Sequence, residues 1–116
     1  MKKLATGITA ALLLLVTGYA APKNETFAGE IMDSQCAILG GHGKMIKKGE
    51  DLVACTVRCV QILGGKYALF DGTTKKAYQL DDQKKAETFA GVKVKVTGTY
   101  NAATKTIKVI TIKPAS

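Results

Sequence analysis

Cys36, His42, Met45, Cys55, Arg58 and Cys59 crowd into one short stretch, which holds every cysteine, the one histidine and the one arginine of the chain. Thiols and an imidazole at this spacing support two chemistries. One is a disulfide joining Cys36 to Cys55 or Cys59. The other is a metal site with Cys36, His42, Cys55 and Cys59 as ligands and Met45 as an additional soft donor, suited to zinc or, through the sulfurs, to copper(I). Cys55 and Cys59 are not expected to bond to each other. Residues four apart on a helix have Cβ atoms about 5–6 Å apart, wider than the roughly 3.5–4.5 Å a disulfide needs. A bridge from Cys36 would close a long loop and stabilise by about 3 kcal/mol in the chain-entropy account. The spacing contains no Cys-x2-Cys motif, which argues against a thiol redox centre and a zinc knuckle alike. By itself, His42 between Gly41 and Gly43 reads as a solvated loop residue.

Catalysis has little support, and the expectation is that the protein is not an enzyme. A Cys–His pair has no third residue in sight to orient the imidazole. Asp81 and Asp82 are adjacent and point apart, so helix capping explains them better than paired acid–base work does.

The elements that position the cysteine stretch are mostly strands. Phe27, Gly29 and Ile31 alternate in a strand ending at Asp33, with Gly29 suited to a bend or bulge. Ser34 to Gly49 is polar and glycine-rich and reads as a loop, expected to be the most mobile internal segment. Asp51 caps a helix running to about Leu63, stopped by Gly64-Gly65. At 100° per residue only Ala54, Arg58 and Gln61 mark a polar side, so Cys55 and Cys59 should face inward. Lys66–Asp71 and Lys76–Leu80 form a hairpin around Asp71-Gly72-Thr73-Thr74. Asp81 or Asp82 caps a short helix ending near Gly91. Val92–Val96 and Thr106–Ile112 close the series across a turn at 101–104.

The first residues set the redox context. Lys2 and Lys3, an apolar run from Leu4 to Val16, and small residues at Gly18 and Ala20 form a secretory signal (1–20), expected to be cleaved after Ala20. The apolar run is too short and too interrupted for a membrane span. A linker (21–25) and a single domain (26–113), with the cysteine loop and helix at 34–65, make up the remainder, so the protein is expected to be secreted or periplasmic, with no membrane span in its mature form.

The 17 basic residues outweigh 9 acidic ones, for a net charge of +8. Beyond the first residues the lysines are spread from Lys23 to Lys113, and a spread of solvated lysines implies at most weak contact with anionic surfaces or polymers. Specific nucleic-acid recognition is not expected, because arginine forks and free stacking aromatics are the usual means. Of the aromatics, Tyr67, Tyr78 and Tyr100 are the ones expected to reach the surface.

Five strands with a helix-bearing connection after the first and a short helix after the third imply a mainly β fold with two short helices, a five-stranded barrel of the OB-like type. An SH3-like barrel or a small α+β sandwich is the alternative. Gly29-Glu-Ile-Met-Asp-Ser-Gln-Cys36, Cys55-Thr-Val-Arg-Cys-Val60, Gly65-Lys-Tyr67, Asp82-Gln-Lys84 and Phe89-Ala-Gly-Val-Lys-Val-Lys-Val-Thr-Gly98 resemble a family of small secreted bacterial proteins grouped as a domain of unknown function. That resemblance covers nearly all of the mature chain and implies an OB-like fold, but it assigns no catalytic residues. The function expected is a non-enzymatic extracytoplasmic binding or stress-related module with no cofactor. A zinc- or copper-binding protein using the Cys/His loop is the alternative.

Overall fold

The computed structural model describes residues 23–116. The expected signal peptide and its cleavage after Ala20 lie outside the described residues, as do the first two positions of the expected linker. Within them run β1 (Glu25–Asp33), α1 (Ser34–Leu39), α2 (Leu52–Gln61), β2 (Tyr67–Asp71), β3 (Lys76–Leu80), α3 (Gln83–Glu87), β4 (Lys93–Asn101) and β5 (Thr106–Pro114). Glu25, placed in the linker by the sequence, already belongs to β1.

All five strands join one sheet in the order β1-β2-β3-β5-β4, and β1 is hydrogen-bonded to both β2 and β4, so the ring of strands closes. Every pairing is antiparallel except the short β3–β5 seam, where Gln79 and Leu80 lie parallel to Thr106 and Ile107. β1 changes neighbour along its length, and Glu30 pairs with Lys93 of β4 and with Phe70 of β2. The closure needs two glycines. A Cβ on Gly29 would collide with the Phe70 carbonyl, and one on Gly98, at a register shift in the β4–β5 pair, would collide with the Lys108 carbonyl.

Strand alternation sorts the side chains into two cores. Inside the ring, Ile31, Leu69, Val94, Val96 and Ile107 are fully buried, joined by Leu80, Tyr67, and Ala86 and Ala90 around α3. Phe27, Tyr78 and Tyr100 stack as a triangle with centroids 5.1 to 5.9 Å apart. Tyr67 is thus a core residue and not the surface aromatic the sequence suggested. The alternate residues of β1 and β2, namely Met32, Ala68 and Phe70, form a second core with Cys36, Ala37, Cys55 and Cys59. So α1 and α2 cover the outer face of β1 and β2.

Among the described residues there are three short helices, one more than expected. Asp33 caps α1 from an extended backbone, its Oδ2 accepting from the Gln35 and Cys36 amides, and Gly40 ends the helix at φ 81°. The loop expected over Ser34–Gly49 therefore begins as a helix. α2 buries Cys55 and Cys59 as expected, together with Thr56, but Leu52 and Val53 are more than two-fifths exposed, as are Ile62 and Leu63 just beyond the helix. The helix meets the sheet along a narrow stripe.

The two hairpins repeat one turn. In β2–β3, Asp71 Oδ1 accepts from the Thr73 and Thr74 amides and Lys75 sits at φ 58°. In β4–β5, Asn101 Oδ1 accepts from the Ala103 and Thr104 amides and Lys105 sits at φ 53°.

Candidate functional site

The sulfur cluster is assembled by three segments. α1 supplies Cys36 from its first turn, fixed by the Asp33 cap. α2, started by Asp51 accepting from the Ala54 amide, presents Cys55 and Cys59 one turn apart. The connection between them brings His42, whose carbonyl accepts from the Met45 and Ile46 amides in a turn of its own. A clasp secures this connection. Arg58 Nε donates to Glu50 Oε2 at 2.8 Å and an Arg58 terminal nitrogen to Glu50 Oε1 at 3.0 Å, while the same nitrogen reaches the Met45 carbonyl at 2.6 Å. This bidentate pair holds the Glu50 carboxyl well below its ordinary range, at about 2.

Cys36, Cys55 and Cys59 are free thiols, close together but not bonded. The expected bridge from Cys36 is not formed, and Cys36 lies near both of its candidate partners. It belongs to two groups, Cys36 with His42 and Cys55, and Cys36 with Asp33 and Cys59, the donor atoms within each group lying within 4.8 Å of one another. Of the expected four-ligand set, the structure thus brings Cys36, His42 and Cys55 together and places Cys59 with Cys36 and Asp33. Met45 packs against the surrounding apolar core.

His42 is not a solvated loop residue: it is only 9% exposed. Its Nε2 lies 2.5 Å from Glu30 Oε2, and its buried Nδ1 has no partner. Asp33 is fully buried, with Oδ2 satisfied by the helix cap and Oδ1 without a partner. Orphaned buried polar atoms are uncommon because each forfeits its hydration. Burial, then the neighbouring Asp33 carboxylate, pushes the Cys36 thiol far above its usual pKa. Burial, then the neighbouring Cys59, pushes the Cys55 thiol up to about 11. Both are protonated at neutral pH when no metal is bound, which makes them poor nucleophiles.

Glu30 and Asp33 escape a reading of the sequence. Glu30 looks like an ordinary polar residue of an alternating strand, and only the pairing of β1 brings it under His42. Asp33 carried a signal, since an aspartate directly before Ser34 can cap a helix.

A second feature adjoins α1. A groove of about 980 Å³ runs between α1, the β2–β3 pair and the β4–β5 turn, and its lining includes Lys66, Lys75, Lys76 and Lys105. Among the described residues Asp81 is the one carboxylate in that lining, and its Oδ1 is occupied by the Val109 amide. No family model, curated protein or solved structure matches the chain, and no helix among the described residues is long and apolar enough to cross a membrane.

Proposed function

We propose that this chain is an exported, non-enzymatic binding module on an OB-like barrel, and that it takes an anionic polymer in the lysine-lined groove. The barrel reading is supported by the strand order, the closure of β1 on both β2 and β4, the parallel β3–β5 seam and the helix between β3 and β4. A sheet closed on itself argues against an open α+β sandwich. The position of α3 favours the OB-like arrangement over an SH3-like one and agrees with the resemblance to the secreted bacterial family. Export rests on the basic and apolar order of residues 1–20. The protonated, buried thiols argue against nucleophilic catalysis.

The observation that carries the binding reading is charge placement. Four lysines from three segments, Lys66, the adjacent Lys75 and Lys76, and Lys105, line one groove in which, among the described residues, the single carboxylate is already engaged, and such a grouping raises the local concentration of anions. Base-specific recognition has no such support. The one arginine is committed to Glu50, and Tyr78 and Tyr100 already pack against Phe27 and each other instead of presenting free stacking faces.

Retention on a sulfated polysaccharide, followed against sodium chloride, tests the reading. Lys75→Glu with Lys105→Glu should weaken binding at least about tenfold, whereas the equally charged pair Lys48→Glu with Lys113→Glu should change it far less. Equal losses in both would mean attraction by net charge alone and would sink the groove assignment.

A further inference from the structure

The buried cluster of thiols, imidazole and carboxylates has no part in the groove, and it points to chemistry of its own. Cysteines alone would not say so, since a free cysteine is routinely buried as a small apolar residue. Two other atoms do: His42 Nδ1 and Asp33 Oδ1 are buried at this cluster without a partner. His42 belongs to one donor group with Cys36 and Cys55, and Asp33 to the other with Cys36 and Cys59, so an ion at the first group would give His42 its counterpart. Glu30 already supplies what a metal-bound histidine ordinarily has, a carboxylate on the ring nitrogen that faces away from the ion. With Glu30 accepting from Nε2–H, the lone pair resides on Nδ1.

We propose that Cys36, Cys55 and Nδ1 of His42 hold a zinc ion, with Asp33 or Cys59 supplying the fourth donor. One donor atom from each of these three residues lies within 4.8 Å of the other two, and of the two ring nitrogens it is Nδ1 that is buried without a partner. A tetrahedral zinc at about 2.3 Å from sulfur and about 2.0 Å from nitrogen needs the three donors roughly 3.5 to 3.8 Å apart, a contraction of at most about 1 Å. Cys36 also belongs to the group containing Asp33 and Cys59, so the residues offered as fourth ligand adjoin the site through Cys36. Mixed sulfur, nitrogen and oxygen donors suit borderline Zn2+. Thiol sulfur is a poor ligand for calcium or magnesium, and a carboxylate is a poor one for copper(I). On binding, each ligating thiol gives its proton to solvent and no electrons are transferred.

The test uses the full chain, purified with reductant and dialysed against Zn2+ or Co2+. The expected result is one tightly held zinc per chain, a thiolate-to-cobalt charge-transfer band in the cobalt form, and a rise in thermal midpoint that a chelator reverses. His42→Ala, checked for folding by circular dichroism, should lose that zinc. Glu30→Gln should keep the stoichiometry but bind about 10- to 100-fold more weakly, as expected for a positioning residue. Absence of zinc from the reduced wild type, a cobalt spectrum without the thiolate band, or uptake of copper(I) but not zinc would overturn the proposal. Zinc affinity unchanged in folded His42→Ala or in Glu30→Gln would overturn the roles given to those residues. Polysaccharide retention is measured separately, so loss of either reading leaves the other standing.

Discussion

Gly29 and Gly98 mark where backbone passes against backbone with no room for a methyl group, because a Cβ at either would strike a neighbouring carbonyl. Gly29→Ala or Gly98→Ala should therefore destabilise by about 1–3 kcal/mol, while Gly72→Ala, which meets nothing within 4 Å, should be nearly neutral. Thermal melts of the three variants would check this, each kcal/mol being worth about 4–8 °C in a domain this small. The thiols make a second expectation at this scale. Fully buried, they should react slowly with iodoacetamide at neutral pH in native reduced protein and take three labels once unfolded. Rapid labelling of Cys36 in the native state would contradict the placement of α1. Glu50 makes a third. Its folded pKa of about 2 lies below the ordinary carboxylate value of about 4.3, so its stabilising contribution is complete above about 4.3 and fades as the pH falls towards about 2. Glu50→Gln should flatten that part of an acid-unfolding curve; an unchanged curve would mean that the Arg58 clasp does not hold the α1–α2 connection.

Among the elements, α3 is tied to the sheet through Gln83, whose side chain accepts from the Tyr67 amide and donates to the Tyr67 and Leu80 carbonyls. Gln83→Ala strands those backbone groups and should cost about 1–3 kcal/mol, with faster exchange of the Tyr67 amide as the local signature. Protection of that amide in the variant equal to wild type would show that the strand start does not depend on α3. The strands were legible in the sequence because period-two patterns such as Val92–Val96 lie between turn residues. α1 was not, because a six-residue helix has too few turns to show a 3.6-residue pattern and Gly40-Gly41-His42-Gly43 pulls the reading towards a loop. The face of α2 was misjudged for a related reason. Periodicity says which residues are apolar, and only the packed sheet says how wide a stripe it can cover. Likewise the cysteines announced the cluster, but the His42–Glu30 contact depends on where β1 lies beneath the α1–α2 connection, which no local pattern encodes.

For the whole molecule, the ring is unevenly sealed. β4 and β5 pair along nearly their full lengths, whereas β3 and β5 share two paired residues, supported by the Gln79 amide on the Lys105 carbonyl and the Asp81 amide on the Ile107 carbonyl. Opening should begin at that seam, so native-state hydrogen exchange is expected to release the Gln79 and Asp81 amides well before those in the middle of β4. The reverse order would place the weak joint elsewhere.

The repeated turn has a consequence for how freely the parts of this molecule can be exchanged. Asp71 to Lys75 and Asn101 to Lys105 follow one plan, a side-chain acceptor at the first position and a left-handed lysine at the fifth. Each turn relies on its own acceptor, so the two segments should act as spare parts: a chimera carrying each turn in the other's place should keep the same strand register, and the left-handed lysines would still border the groove from the same two corners.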